Sequence, residues 1–150
     1  MRGDMIDGTD VNAGDEIVSA EFGPFTIIDT VRWSGVQENP ERIHWDREFA
    51  REHSRLRTFI VSGGYRQALL ARALTDWLGP RGRLVRMQVR HVAPTFEGDT
   101  IRFSARVRNK ANQPNGTALE CNVEGSNQDQ KPVLVGSCVL LFTAAQLRRV

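Results

Sequence analysis

The residues best suited to chemistry lie together in Asn39-Pro40-Glu41-Arg42-Ile43-His44-Trp45-Asp46. An amide, two carboxylates, an aromatic ring and a histidine share this short stretch. Histidine is the side chain whose ordinary pKa lies near neutrality, so His44 can take a proton and return it. Asn39 cannot take a proton, but it can orient a water or a substrate amide. Glu41 and Asp46 are nearby carboxylates. Further on, Ser62-Gly63-Gly64 opens an apolar segment. If that segment is a helix, the backbone N–H groups of Gly63, Gly64 and Tyr65 stand free at its start, where the helix dipole helps them polarise a carbonyl. A titratable group and a helix N-terminus then converge on one reacting molecule.

Each of these residues also has a plainer reading. Asp46 suits the N-cap of a following helix, and that reading is favoured over catalysis. Glu41 suits a solvent-facing position. Gly63 and Gly64 can simply allow close packing against a strand. His44 can be a satisfied structural histidine.

The elements that must position these groups follow from periodicity. Residues 1–14 show little pattern and are expected to be flexible, leaving one domain over 15–150. Asp15–Ala20 suits a short strand. Asp29 is expected to cap a short helix ending near Val36, and Asp46 a second helix over 47–53 that turns Phe49 and Ala50 inward. The clearest helix is 63–78. Leu70, Leu74, Trp77 and Leu78 recur at helical spacing, Ser62 can cap it, and Gly79-Pro80 stops it.

Beyond Pro80 the period becomes two. Val85, Met87, Val89 and His91 alternate with Arg86, Gln88 and Arg90. Ile101, Phe103, Ala105 and Val107 alternate with Arg102, Ser104, Arg106 and Arg108. Asn115-Gly116 signals a hairpin turn. Leu119, Cys121 and Val123 alternate with polar neighbours. The nearly continuous apolar run 133–142 suits a strand covered on both faces. A long apolar helix followed by antiparallel strands implies an α+β domain with the sheet wrapped around the helix.

Composition sets the outer bounds. The 150 residues make one ordinary domain, 40% hydrophobic and 25% charged. A net charge of +2 gives no argument for nucleic acid. No uninterrupted apolar run approaches the ~20 residues of a membrane span. The acidic, Gly-rich start is unlike a secretory signal. Cys121 and Cys138 read as buried free thiols of a cytoplasmic protein. No His, Cys or carboxylate cluster has metal-ligand spacing, and no phosphate-cradling glycine loop is present. His53 and His91 have no motif around them. Arg86, Arg90, Arg102, Arg106 and Arg108 are expected to line one face of adjacent strands. A solvated face explains them most simply, and the phosphates of coenzyme A are the sharper alternative.

Taken together, these residues resemble the MaoC-like, single hotdog-fold enoyl-CoA hydratases and dehydratases, over about Gly14 to Phe142. The family carries Asp-x-Asn-Pro-hydrophobic-His-x-Asp, then hydrophobic-His-Gly entering the central helix, then Phe-x-Gly-Asp before a strand. Here stand Ile43-His44-Trp45-Asp46, then Ile60-Val61-Ser62-Gly63, then Phe96-Glu97-Gly98-Asp99. The pattern Asn-x-x-Arg-Ile-His-aromatic-Asp is most similar to the mesaconyl-CoA hydratase subgroup. The chain departs from the family twice. The catalytic Asp position, five before His44, holds Asn39, and Ser62 stands where a His is usual.

The resemblance implies a hydro-lyase of fatty acid metabolism acting on an acyl-CoA or acyl-carrier-protein thioester. Its catalytic residues would be His44, Asn39 and Glu41, and its substrate-binding residues Ser62, Gly63, Gly64 and Tyr65. No cofactor is implied beyond the coenzyme A of the substrate. The assembly would be a homodimer or larger, with sites near the subunit interface. A non-catalytic subunit of a hetero-oligomer and a hotdog thioesterase are the alternatives.

Overall fold

The computed structural model describes residues 10–114 and 116–143. In chain order it contains β1 (Glu16–Phe22), α1 (Ile27–Val36), a 3-10 turn (Arg42–His44), α2 (Arg47–Ser54), α3 (Gly63–Leu78), β2 (Gly82–His91), β3 (Ile101–Gln113), β4 (Gly116–Asn127) and β5 (Pro132–Thr143), with a second 3-10 turn at Gly79–Arg81. The five strands form one sheet in the order β1-β3-β4-β5-β2, and every neighbouring pair is antiparallel. This is the expected hotdog arrangement of a central helix against a single antiparallel sheet.

Leu69, Leu70, Ala73, Leu74 and Leu78 bury one face of α3. They join a single core with Ile101, Phe103, Ala105 and Val107 of β3, Leu119, Cys121 and Val123 of β4, and Leu134, Cys138, Leu140 and Phe142 of β5. Cys121 and Cys138 are directly paired across β4 and β5. Both are buried and free.

Several expectations needed correction. The cap of α1 is Thr26, not Asp29. Asp29 sits at the third helical position, and its carboxylate accepts the Thr26 N–H (2.8 Å) and hydroxyl (2.7 Å) in a capping box. Val85 is 51% exposed, because a bulge between Leu84 and Arg86 leaves it out of the ladder with β5. The arginines do not form one stripe, since β4 and β5 separate β2 from β3. On β3, Arg102 and Arg106 reach Glu16, while Arg108 reaches Glu120. β5 is covered on one face only among the described residues; Val135, Val139 and Leu141 on the other are half-exposed.

Of the segment 1–14, residues 1–9 lie outside the described ones. Val11 is buried, and the Gly14 N–H donates to the Val107 carbonyl at 2.8 Å. The expected Asn115-Gly116 turn falls where β3 meets β4, with Asn115 itself outside the described residues. Among the described residues, no helix is long and apolar enough to cross a membrane.

Candidate active site

His44 ends the first 3-10 turn, and the chain around it is fixed locally. Asp46 caps α2, its side chain accepting the Phe49 N–H at 3.0 Å, and it also binds the Arg42 guanidinium at 2.6 Å. The Phe49 N–H first, and then Arg42, hold the Asp46 carboxyl below the usual carboxylate range. Both contacts favour the Asp46 anion and suit its role as a helix cap.

The His44 imidazole reaches across to the segment before α3. Its Nδ1 lies 2.9 Å from the Ile60 carbonyl oxygen. A carbonyl can only accept, so Nδ1 is the donor, and in the neutral ring Nε2 is left with the lone pair. The Ile60 N–H returns to the Ile43 carbonyl at 3.0 Å. This closes a two-point clamp between the His44 turn and the entry to α3.

The third motif holds that entry in place. Ile60 bridges Phe96, and the Val61 N–H donates to the Thr95 carbonyl at 2.7 Å. The Thr58 hydroxyl donates to Glu97 at 2.9 Å, and Arg47 pairs with Glu97 as well. Arg47 is the main cause that holds Glu97 below its ordinary pKa. Asp99 is buried. It accepts from the Phe96 N–H (2.8 Å), Arg57 (2.9 Å) and Gln128 (3.0 Å). Gly98 has φ +83°, a left-handed conformation that suits glycine. Three motifs distant in sequence thus form one connected frame.

Asn39 is half-buried. Its N–H donates to the Ser34 carbonyl at 2.9 Å, and its Oδ1 accepts the Glu41 N–H at 3.0 Å. The amide nitrogen has no partner among the described residues. Glu41 is exposed and serves as N-cap of the 3-10 turn without a side-chain bond.

Ser62 is the N-cap residue of α3, and it is buried, but its side chain makes no cap bond. The Arg66 N–H donates to the Ser62 carbonyl at 3.1 Å. The amides of Gly63, Gly64 and Tyr65 therefore have no cap from Ser62. The two glycines differ. A Cβ on Gly64 would meet its nearest atom, on Trp33, at 3.6 Å, an ordinary contact. A Cβ on Gly63 would meet the His91 Nε2 at 3.0 Å. Tyr65 stacks on Trp33 with 5.1 Å between ring centres and meets Phe25 edge-on. Burial first, then Asp29, raises the Tyr65 phenol above its ordinary pKa.

Tyr65 lines two hollows. One of about 210 Å³ lies toward Phe22, Phe25, Leu69 and Arg72. The other, of about 220 Å³, lies toward Arg32, Trp33 and Val36. Asp29 lines both.

Sequence reasoning missed two residues at this corner. His91 ends β2 and packs its ring on Gly63. Arg66 is only 5% exposed. It donates to the Ala93 carbonyl (2.8 Å), the Thr95 hydroxyl (3.3 Å) and the Val133 carbonyl (3.4 Å). Its Nε has no partner among the described residues, and burial lowers its pKa. A charged residue inside an otherwise apolar helical stretch was the available signal for Arg66. Among the described residues, no group of three or more His, Cys, Asp or Glu side chains could hold a metal.

Residues 13–127 match the family model described as "MaoC like domain". No curated protein sequence matches the chain. Solved structures match the fold over nearly its whole length. An R-hydratase from Pseudomonas aeruginosa, in its unliganded form, has TM-score 0.77 and 19% identity, covering 95% of this chain and 93% of that one. An (R)-hydratase from A. caviae involved in PHA biosynthesis has TM-score 0.77 and 16% identity, covering 89% and 98%. The ChsH1-ChsH2 complex from Mycobacterium tuberculosis has TM-score 0.75 and 20% identity, covering 87% and 98%.

Proposed function

This chain belongs to the MaoC-like domain family, and on that premise we propose that it is a hydro-lyase adding water to, or removing it from, an enoyl thioester. One observation carries the reading. The Ile60 carbonyl fixes the His44 tautomer, so that Nε2 is the basic nitrogen. In the hydration direction, a water oxygen bonds to the β-carbon as its proton passes to Nε2. The α-carbon then takes that proton and the double bond is consumed. Charge develops on the thioester oxygen meanwhile, and the uncapped amides of Gly63 and Gly64 are the donors for it. Asn39 orients the water or the substrate. Ser62 and Tyr65 shape the entry to that position. The substrate carrier is coenzyme A or an acyl carrier protein, and the working unit is a homodimer or larger.

The test is a panel of enoyl-CoA substrates offered to the purified chain, reading hydration and free thiol release together. We expect hydration without thiol release. His44→Ala should lower the rate by ~100 to 10,000-fold, the usual worth of general acid–base catalysis, while the folded chain persists. Thiol release would identify a thioesterase instead.

Asn39 favours one second reading. An amide cannot carry a proton, so the chain would be the non-catalytic member of a hetero-oligomer. No hydration of any thioester, together with tight binding of a competent MaoC-like chain, would establish it.

A further inference from the structure

His91 stands at the same corner as the uncapped amides, and the hydratase reading gives it no role. It lies at the end of edge strand β2 and pairs in register with Leu134. Leu134 is fully buried, so this position looks toward the helix side of the sheet. The ring arrives against Gly63, where a Cβ would meet Nε2 at 3.0 Å, Cδ2 at 3.1 Å and Cε1 at 3.5 Å. Neither ring nitrogen has a hydrogen-bond partner among the described residues. The ring is thus set against the first of the two glycines that open α3, with both nitrogens unspent. His91 is itself exposed at the strand end, so its nitrogens stay open to a ligand that enters beside Gly63.

Resting on the hydratase reading, we infer that His91 is a second catalytic residue, donating from Nε2 to the thioester oxygen that also receives the Gly63 amide. The surroundings suit a neutral imidazole in that role. Burial first, and then the Arg66 guanidinium, hold the His91 pKa below that of an ordinary histidine. A neutral imidazole donates a hydrogen bond without surrendering its proton. Arg66 adds a buried positive charge behind the same corner. Its acceptors are carbonyls and a hydroxyl rather than a carboxylate, so its charge adds to the field on a developing oxyanion. Two histidines then divide the work: His44 moves the proton and His91 holds the charge.

Two variants and one spectrum test this. His91→Phe keeps a ring against Gly63 and removes both nitrogens. His91→Gln restores a donor. With a short enoyl-CoA, His91→Phe should lower kcat by ~100 to 1,000-fold, as removal of an oxyanion donor does, with a smaller change in KM. His91→Gln should recover part of that loss. The spectrum uses wild-type chain with labelled histidine nitrogens and butyryl-CoA, which is saturated and cannot react. The His91 Nε2 resonance should move on binding.

An active wild type whose His91→Phe variant keeps full kcat overturns the inference and leaves the hydratase reading standing. Bound butyryl-CoA that leaves the His91 resonance unmoved overturns it too. A chain that shifts the His91 resonance with butyryl-CoA but hydrates nothing supports His91 as a thioester ligand and removes the hydratase reading. A chain that neither binds nor hydrates removes both.

Discussion

At Asn39 a single atom separates two chemistries, because a carboxylate there would place a second proton carrier five residues before His44. Asn39→Asp should fold normally, since the carboxylate keeps an acceptor for the Glu41 N–H that Oδ1 now binds. With crotonyl-CoA its kcat should match or exceed that of the wild type if Asn39 occupies the family's acid position; a fall in kcat would show that it does not. The individual residues were unevenly legible. His44 announced itself because its neighbours form a motif, and Asp46 because a short acidic side chain before a helix has a specific local partner in the Phe49 N–H. Asp29 misled for a related reason. It does serve a helix start, but from inside the first turn, with Thr26 as the cap. His91 carried no local signal at all, because its significance lies in Gly63, which reaches it only through the fold.

Among the elements, α3 joins core to chemistry. One face is buried by leucines, while its first turn carries glycine twice. At Gly64 packing gives no reason for glycine, since a Cβ would meet Trp33 at an ordinary 3.6 Å. Gly64→Ala should therefore melt at or above the wild-type temperature, alanine being the better helix former by up to ~1 kcal/mol in a helix interior, yet lose activity because the methyl group occupies the approach to the thioester oxygen. Thermal melting read beside turnover decides it. Parallel loss of both would make Gly64 a packing glycine. The limits of α3 were readable in full, as Ser62 and Gly79-Pro80 are strong local punctuation. The phase of β2 was not, since nothing in its alternation marks the bulge that frees Val85.

For the molecule as a whole, the sheet leaves unfinished surfaces. β2 is an edge strand, and the outer side of β5 is half-exposed at Val135, Val139 and Leu141. Such edges and apolar faces are commonly covered by a second subunit. Sedimentation at micromolar concentration should show a dimer or a larger assembly, and a stable monomer would count against it. The fold class was legible because the switch from helical to alternating periodicity is written residue by residue. Strand order was not: the arginines of β2 and β3 looked like neighbours only until β4 and β5 were placed between them. Pairing across distant segments is decided by which faces the core accepts, and alternation within one strand is silent on it.

The bulge in β2 also settles a question of parity. Leu84 and His91 are separated by an odd number of steps, so an unbroken strand would turn them to opposite sides of the sheet. Instead they pair with Leu140 and Leu134, both fully buried and both on the helix side. Val85 is the uncounted step that reconciles the two. It is the length β2 can spare: with Val85 deleted, the count becomes even, the strand can run without interruption, and His91 still arrives beside Gly63. Any other single deletion between Leu84 and His91 gives the same count, so the spare step belongs to the bulge and not to the side chain of Val85.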